Sequence, residues 1–263
     1  MKNLLLAIAV IFTTNATNAQ TLAAGDIAIV GLNTDGPSSN TDEFSIVTLA
    51  SIPSGTTIYF SDYYWDNTNS RWGNDGLNGT TQNTTEGIIK WTTTSAIAAG
   101  TVFRISWTMG SGTPSVSGLP GTVVLFGQTG GTSFGPLGQN GDNIFIYQSN
   151  NNGVTPSNWI FGWTNAIAST VSANNAWQSS NSPILGTFSM LPTELTNGTS
   201  AISFAQVGSG SAFNPSFDNN VYNIGSLRTG NKAALLSAIT NTSSWIGDET
   251  TAYDIAPTST YFS

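Results

Sequence analysis

From Asp26 onward the chain is written in short runs of Val, Ile, Phe, Tyr, Trp and Thr. Each run is closed by Gly, Pro, Asn or Ser before a helical period can establish itself. β-Branched and aromatic side chains fit a pleated surface, while the closing residues supply turn conformations, so this punctuation favours strands over helices. Residues 26–32, 43–49, 56–61, 87–92, 101–108, 122–127, 143–148, 159–163 and 201–206 read as strands. In 101–108, Phe103, Ile105 and Trp107 fall on one face and Val102, Arg104 and Ser106 on the other, the alternation of a strand with one buried face. The pattern predicts a mostly β fold, a β-sandwich of short, mainly antiparallel strands.

One segment departs from it. In TGNKAALLSAIT, good helix formers put Leu235, Leu236 and Ile239 on one stripe, which predicts a short C-terminal helix over Lys232–Ile239 capped by Thr229 or Asn231. A helix this short needs a sheet to pack on. Gly-Thr also recurs before strands, at Gly55-Thr56, Gly100-Thr101 and Gly121-Thr122, as a repeated turn solution. No Pro-rich linker or charge block divides the chain. Residues 20–263 therefore read as a single domain, the alternative being a split near residue 150, where NNNGVTPSN forms the longest connection.

Before the first strand, Lys2 precedes an unbroken apolar run over residues 4–12, and Thr17, Asn18 and Ala19 place small residues before Gln20. This is the pattern of a secretory signal peptide spanning 1–19, and the run is too short for a permanent membrane span. The expected location is secreted, extracellular or at the cell surface, with the periplasm as the alternative. The chain has no cysteine, so disulfides and a lipid anchor on cysteine are excluded and stability has to come from packing.

Histidine is absent as well, which removes Ser-His-Asp and Cys-His catalysis and the usual zinc sites. Six Lys and Arg face 14 Asp and Glu, a net charge of −8, and losing Lys2 with the signal makes it −9. So few scattered cations form no basic patch, which argues against nucleic acid and anionic lipid as partners. Two chemistries survive. A carboxylate pair for glycoside hydrolysis could be drawn from Glu86 and Asp142, each at the start of a predicted strand, with Asp42, Glu43, Asp62 and Asp66 as further candidates. No assembled catalytic constellation is evident, and the expectation is a non-enzyme. Calcium is the possible cofactor: Asp62, Asp66 and Asp75 lie in an oxygen-rich stretch, DYYWDNTNSRWGND, although it lacks EF-hand spacing.

The same stretch holds Tyr63, Tyr64, Trp65 and Trp72. Aromatic rings interleaved with Asp and Asn form either an exposed platform on which sugar rings stack or a cap on the sandwich core. The other tryptophans lie mainly on or beside predicted strands and read as core, except Trp177, which reads as a loop residue.

Several stretches, in order, resemble a secreted bacterial module found in exported proteins of Bacteroidetes and cyanobacteria. They are GDIAIVG from Gly25, DEFS from Asp42, IPSGTTIYFSD from Ile52, TEG from Thr85, NGD from Asn140, Leu191-Pro192, DNNVY from Asp218, and the tail from Thr229 to Trp245. The resemblance implies a β-rich exported domain of lamin-tail or immunoglobulin-like type. The module has no assigned function, so no catalytic residue is carried over. The leading expectation is an exported non-catalytic module that binds glycan or extracellular-matrix components through Tyr63, Tyr64, Trp65 and Trp72. The alternatives are a structural adhesion or matrix subunit that associates through its sheet edges, with self-association, and a carboxylate-based glycosidase.

Overall fold

Strand β7 (Val102–Thr108) buries Phe103, Ile105 and Trp107 and leaves Arg104 and Ser106 half-exposed, as the alternation of its sequence requires. The same rule builds two six-stranded sheets in the computed structural model, which describes residues 20–34, 41–72, 87–108, 114–117, 121–126, 137, 142–165, 177–178, 189–204, 218–223 and 225–255. The first sheet contains β1 (Ile27–Asn33), β2 (Thr41–Thr48), β7, β8 (Ser115–Ser117), β13 (Asn219–Tyr222) and β14 (Trp245–Asp248), in the order β14-β13-β1-β2-β7-β8. The second contains β3 (Thr57–Ser61), β6 (Ile88–Thr93), β9 (Gly121–Phe126), β10 (Asn143–Gln148), β11 (Asn158–Thr164) and β12 (Ala201–Ser203), in the order β12-β11-β10-β3-β6-β9. All the pairings in both sheets are antiparallel except β11 with β12. Strand makes up 46% and helix 7%, far from the roughly one-third helix of an average domain. The fold is a mostly β sandwich.

The main core lies between the sheets and draws Ile29, Phe44, Ile46 and Phe103 from the first, and Phe60, Trp91, Ile146 and Trp163 from the second. Strands from both sides of residue 150 pair with each other, β10 with β11 and β1 with β13.

The second sheet is covered on part of its outer face as well, over β3, β10 and β11. A two-stranded hairpin, β4 (Trp65–Asp66) with β5 (Arg71–Trp72), forms a second core there with Tyr59, Phe145, Tyr147, Trp159 and Trp177. A strand buried on both sides needs apolar residues at consecutive positions, and β10 reads NIFIYQ for that reason: Ile144 and Ile146 face the main core, Phe145 and Tyr147 the second. A register shift in β11 lets Ile160 and Phe161 both reach the main core while Trp159 reaches the second.

At one end of the sandwich the connections β2–β3 and β6–β7 share a turn. Gly55 and Gly100 sit at φ +80° and +86°, and the threonine after each folds back, Thr56 Oγ1 donating to the Pro53 carbonyl at 2.8 Å and Thr101 Oγ1 to that of Ala98 at 2.7 Å. Ile52 and Ile97 join the two turns in a reciprocal backbone bridge. The helix α1 (Lys232–Ile239) lies at this end too. It has the expected bounds, buries Leu235, Leu236 and Ile239, and is capped by Asn231, whose side chain accepts from the Ala234 N–H at 3.0 Å.

Candidate functional site

The aromatic loop folds inward. Asp66 accepts the N–H groups of Thr68 and Asn69 at 2.9 and 3.3 Å and the Asn69 amide at 2.6 Å, an Asx turn that doubles the chain back from β4 to β5. Residues 189–191 hold the hairpin down: the Trp65 N–H donates to Ser189 Oγ at 2.7 Å, and Asn67 Nδ2 to the Leu191 carbonyl at 2.6 Å. Tyr63, Tyr64, Trp65 and Trp72 are consequently 1, 4, 7 and 0% exposed. Trp65 meets Trp72 and Trp159 edge-on, with ring centroids 5.2 and 4.9 Å apart. The expectation of an exposed ring platform therefore needs correcting: these four faces lie against protein, and of the two readings it is the packing one that the geometry follows. Trp177, expected on a loop, lies outside any strand but is buried against Phe145. Tyr147 donates its hydroxyl to the Gly153 carbonyl at 2.8 Å. Burial pushes its ionisation well above the usual tyrosine range, and Tyr59, Tyr63 and Asp62 add to the effect.

Three of the candidate carboxylates, Asp42, Asp62 and Asp142, lie at the end of the sandwich opposite α1, where strand ends leave backbone N–H groups to be satisfied. Asp62 Oδ1 accepts from the Gly87 N–H at 2.6 Å, Asp42 Oδ2 from that of Leu137 at 2.9 Å, and Asp142 Oδ1 from that of Asn143 at 2.7 Å. All three side chains are buried. Glu86 and Asp75 lie outside the described residues. Among the described residues, no group of three or more acids is placed to hold a metal ion.

The outer face of the first sheet carries what the sequence reading missed. Register aligns Ser115, Ser106, Glu43, Asn33, Asn219 and Asp248 in one polar row across all six strands. Asn33 Nδ2 donates to Glu43 Oε1 at 2.8 Å, and Arg104 Nη1 stands 3.2 Å from Glu43 Oε2. An acid on an outer face would ordinarily meet water, yet Glu43 is buried. Residues 251–255 cross the same face from the end of β14. Asn33 holds this strap by both backbone groups of one residue, Nδ2 donating to the Tyr253 carbonyl at 2.8 Å and Oδ1 accepting the Tyr253 N–H at 3.0 Å. Ile255 is buried over Gly31, where a Cβ would come within 2.7 Å of both Ile255 Cγ2 and Ser45 Oγ. The available signal was a polar residue at one end of each of two apolar runs, Asn33 after 26–32 and Glu43 at the start of 43–49, but register across 220 residues cannot be read from a single chain.

A cavity of 390 Å³ lies between α1 and the turn at Gly198 and Thr199, lined also by Lys232, Ala233, Leu236 and Ser237. Its cation is neutralised, Lys232 Nζ lying 2.6 Å from Asp26 Oδ1. No helix among the described residues is long and apolar enough to cross a membrane. No family model matches this chain, and neither a curated protein nor a solved structure matches it.

Proposed function

We propose that this chain is an exported, non-catalytic structural module that associates with a second copy of itself through the β14 edge of the first sheet. One observation carries the reading. Among the described residues, the exposed large apolar side chains are Ile246 at 38%, on β14 itself, and Leu227 at 45%, on the connection from β13 to α1. Among the described residues β14 has a neighbour on one side only, and its four residues place no charge before Asp248. Lysines, bulges or proline usually protect such an edge against pairing. Two further features support the reading. Asp42, Asp62, Asp66 and Asp142 accept backbone N–H groups, which gives these candidate carboxylates a structural task. Gln20, the first residue after the expected signal peptide, is already docked, its carbonyl accepting Gln148 Nε2 at 2.9 Å.

Sedimentation velocity on residues 20–263 tests the proposal. The wild-type chain is expected to self-associate with rising concentration, and Ile246→Lys is expected to stay monomeric. A wild-type chain that remains monomeric throughout would overturn it. Glycan binding has to use a surface other than the four buried rings, so an array carrying glycans and matrix components should give the same pattern for wild type and Trp65→Ala.

A further inference from the structure

We propose that the outer face of the first sheet is a peptide-docking site, held in cis by residues 251–255, and that the same segment of a second copy can take their place. The site is built for an extended chain. Asn33 reads a backbone N–H and carbonyl of one residue together, as a neighbouring strand would, and this selects an extended peptide without selecting its side chains. Selectivity comes two residues further on. Two residues beyond the backbone-held Tyr253, Ile255 is buried on the sheet, while Asp254 between them is exposed, the alternation of an extended segment. Ile255 enters a recess that exists because position 31 has no Cβ, and Ser45 forms its other wall. Beneath lies the buried Glu43, whose carboxylate holds Asn33 on one oxygen and Arg104 on the other, fixing the reading amide in place.

Nothing in this recognition depends on the segment belonging to the same chain. Exchanging it between two copies restores each contact, so the exchange costs little beyond reopening the connection after β14. In cis the strap is favoured by its high effective concentration, which keeps the site occupied in the monomer. The segment leaves directly from β14, so an exchanged strap would emerge at the edge where Ile246 is exposed. The inference does not require edge pairing, and the test is run in an Ile246→Lys background to keep the two apart.

Two full-length variants divide the interaction. Gly31→Val fills the recess and frees its own strap, and Ile255→Asp disables the strap and leaves the recess open. Each alone is expected to sediment as a monomer, and their mixture as a heterodimer. A mixture of folded monomers would overturn the proposal, and so would a heterodimer that persists when Ile255→Asp is added to the Gly31→Val partner. Should Gly31→Val fail to fold, Asn33→Ala replaces it. A synthetic peptide of residues 249–257, titrated into isotope-labelled Ile255→Asp chain, gives a second reading that registers weak binding. Saturable shifts at the Gly31 and Ser45 amides are expected, and unchanged spectra would overturn the proposal.

Discussion

Trp72 touches more of the second core than its place on a two-residue strand implies. Its ring meets Tyr63, Trp65, Phe145, Tyr147 and Trp159, with centroids from 5.2 to 6.4 Å. Truncating a ring so enclosed removes its burial and leaves a cavity, so Trp72→Ala is expected to cost about 3–5 kcal/mol in urea unfolding. A ring on an exposed platform would cost well under that, so the measurement separates the two roles in the free protein. The four aromatics were legible as a cluster, because Tyr63, Tyr64, Trp65 and Trp72 lie close together in the chain. Whether they faced water was not legible. That was decided by Ser189 and Leu191, more than a hundred residues away.

Among the elements, those that express a local rule were readable. The helix showed its period and its Asn231 cap, and the long strands showed alternation or continuous apolar runs. β4, β5, β8, β13 and β14 were missed because each is two to four residues long and made by pairing. β13 is the clearest case: Asn219 and Asn220 are poor strand formers, held there between β1 and β14. The turn leaving β14 is a local device of another kind. Asp248 accepts the N–H groups of Thr250 and Thr251 at 2.8 and 2.7 Å, and these bonds hold its carboxyl below the usual range. A depressed folded-state value means that the turn's contribution is present above the unfolded-state value and is lost as pH falls through the folded one. In an NMR titration the Thr250, Thr251 and Tyr253 amides are expected to shift together at acid pH, below the range of an ordinary carboxylate. Asp248→Asn should abolish that step.

Over the whole molecule, a chain without cysteine is held by two apolar layers, and its scarce charges serve as fasteners: Asp26 with Lys232, and Glu43 with Arg104. Two of the expected calcium ligands, Asp62 and Asp66, take part in the same economy. Asp66 closes the hairpin turn and Asp62 caps the approach to β6. An ion would have to break those bonds, so the melting midpoint is expected to coincide in calcium and in chelator. A higher midpoint in calcium, lost in Asp66→Asn, would assign the ion to the loop of residues 62–75. The two-sheet architecture was legible from strand composition. The outer cover on each sheet was not, because hairpin and strap are recruited by surfaces that exist only once the sandwich has formed.

The second core, on the outer side of the second sheet, bears on how the molecule comes apart. Of the eight tryptophans, Trp65, Trp72, Trp159 and Trp177 sit in the second core and Trp91, Trp107, Trp163 and Trp245 in the main one. A cover made of a short hairpin and the segment that pins it can lift while the sandwich stays closed, a sub-global opening below the full unfolding free energy. Rising denaturant should then red-shift part of the tryptophan emission before the far-ultraviolet sheet signal falls, with the remainder following it. Curves that superimpose would instead make the two layers one cooperative unit.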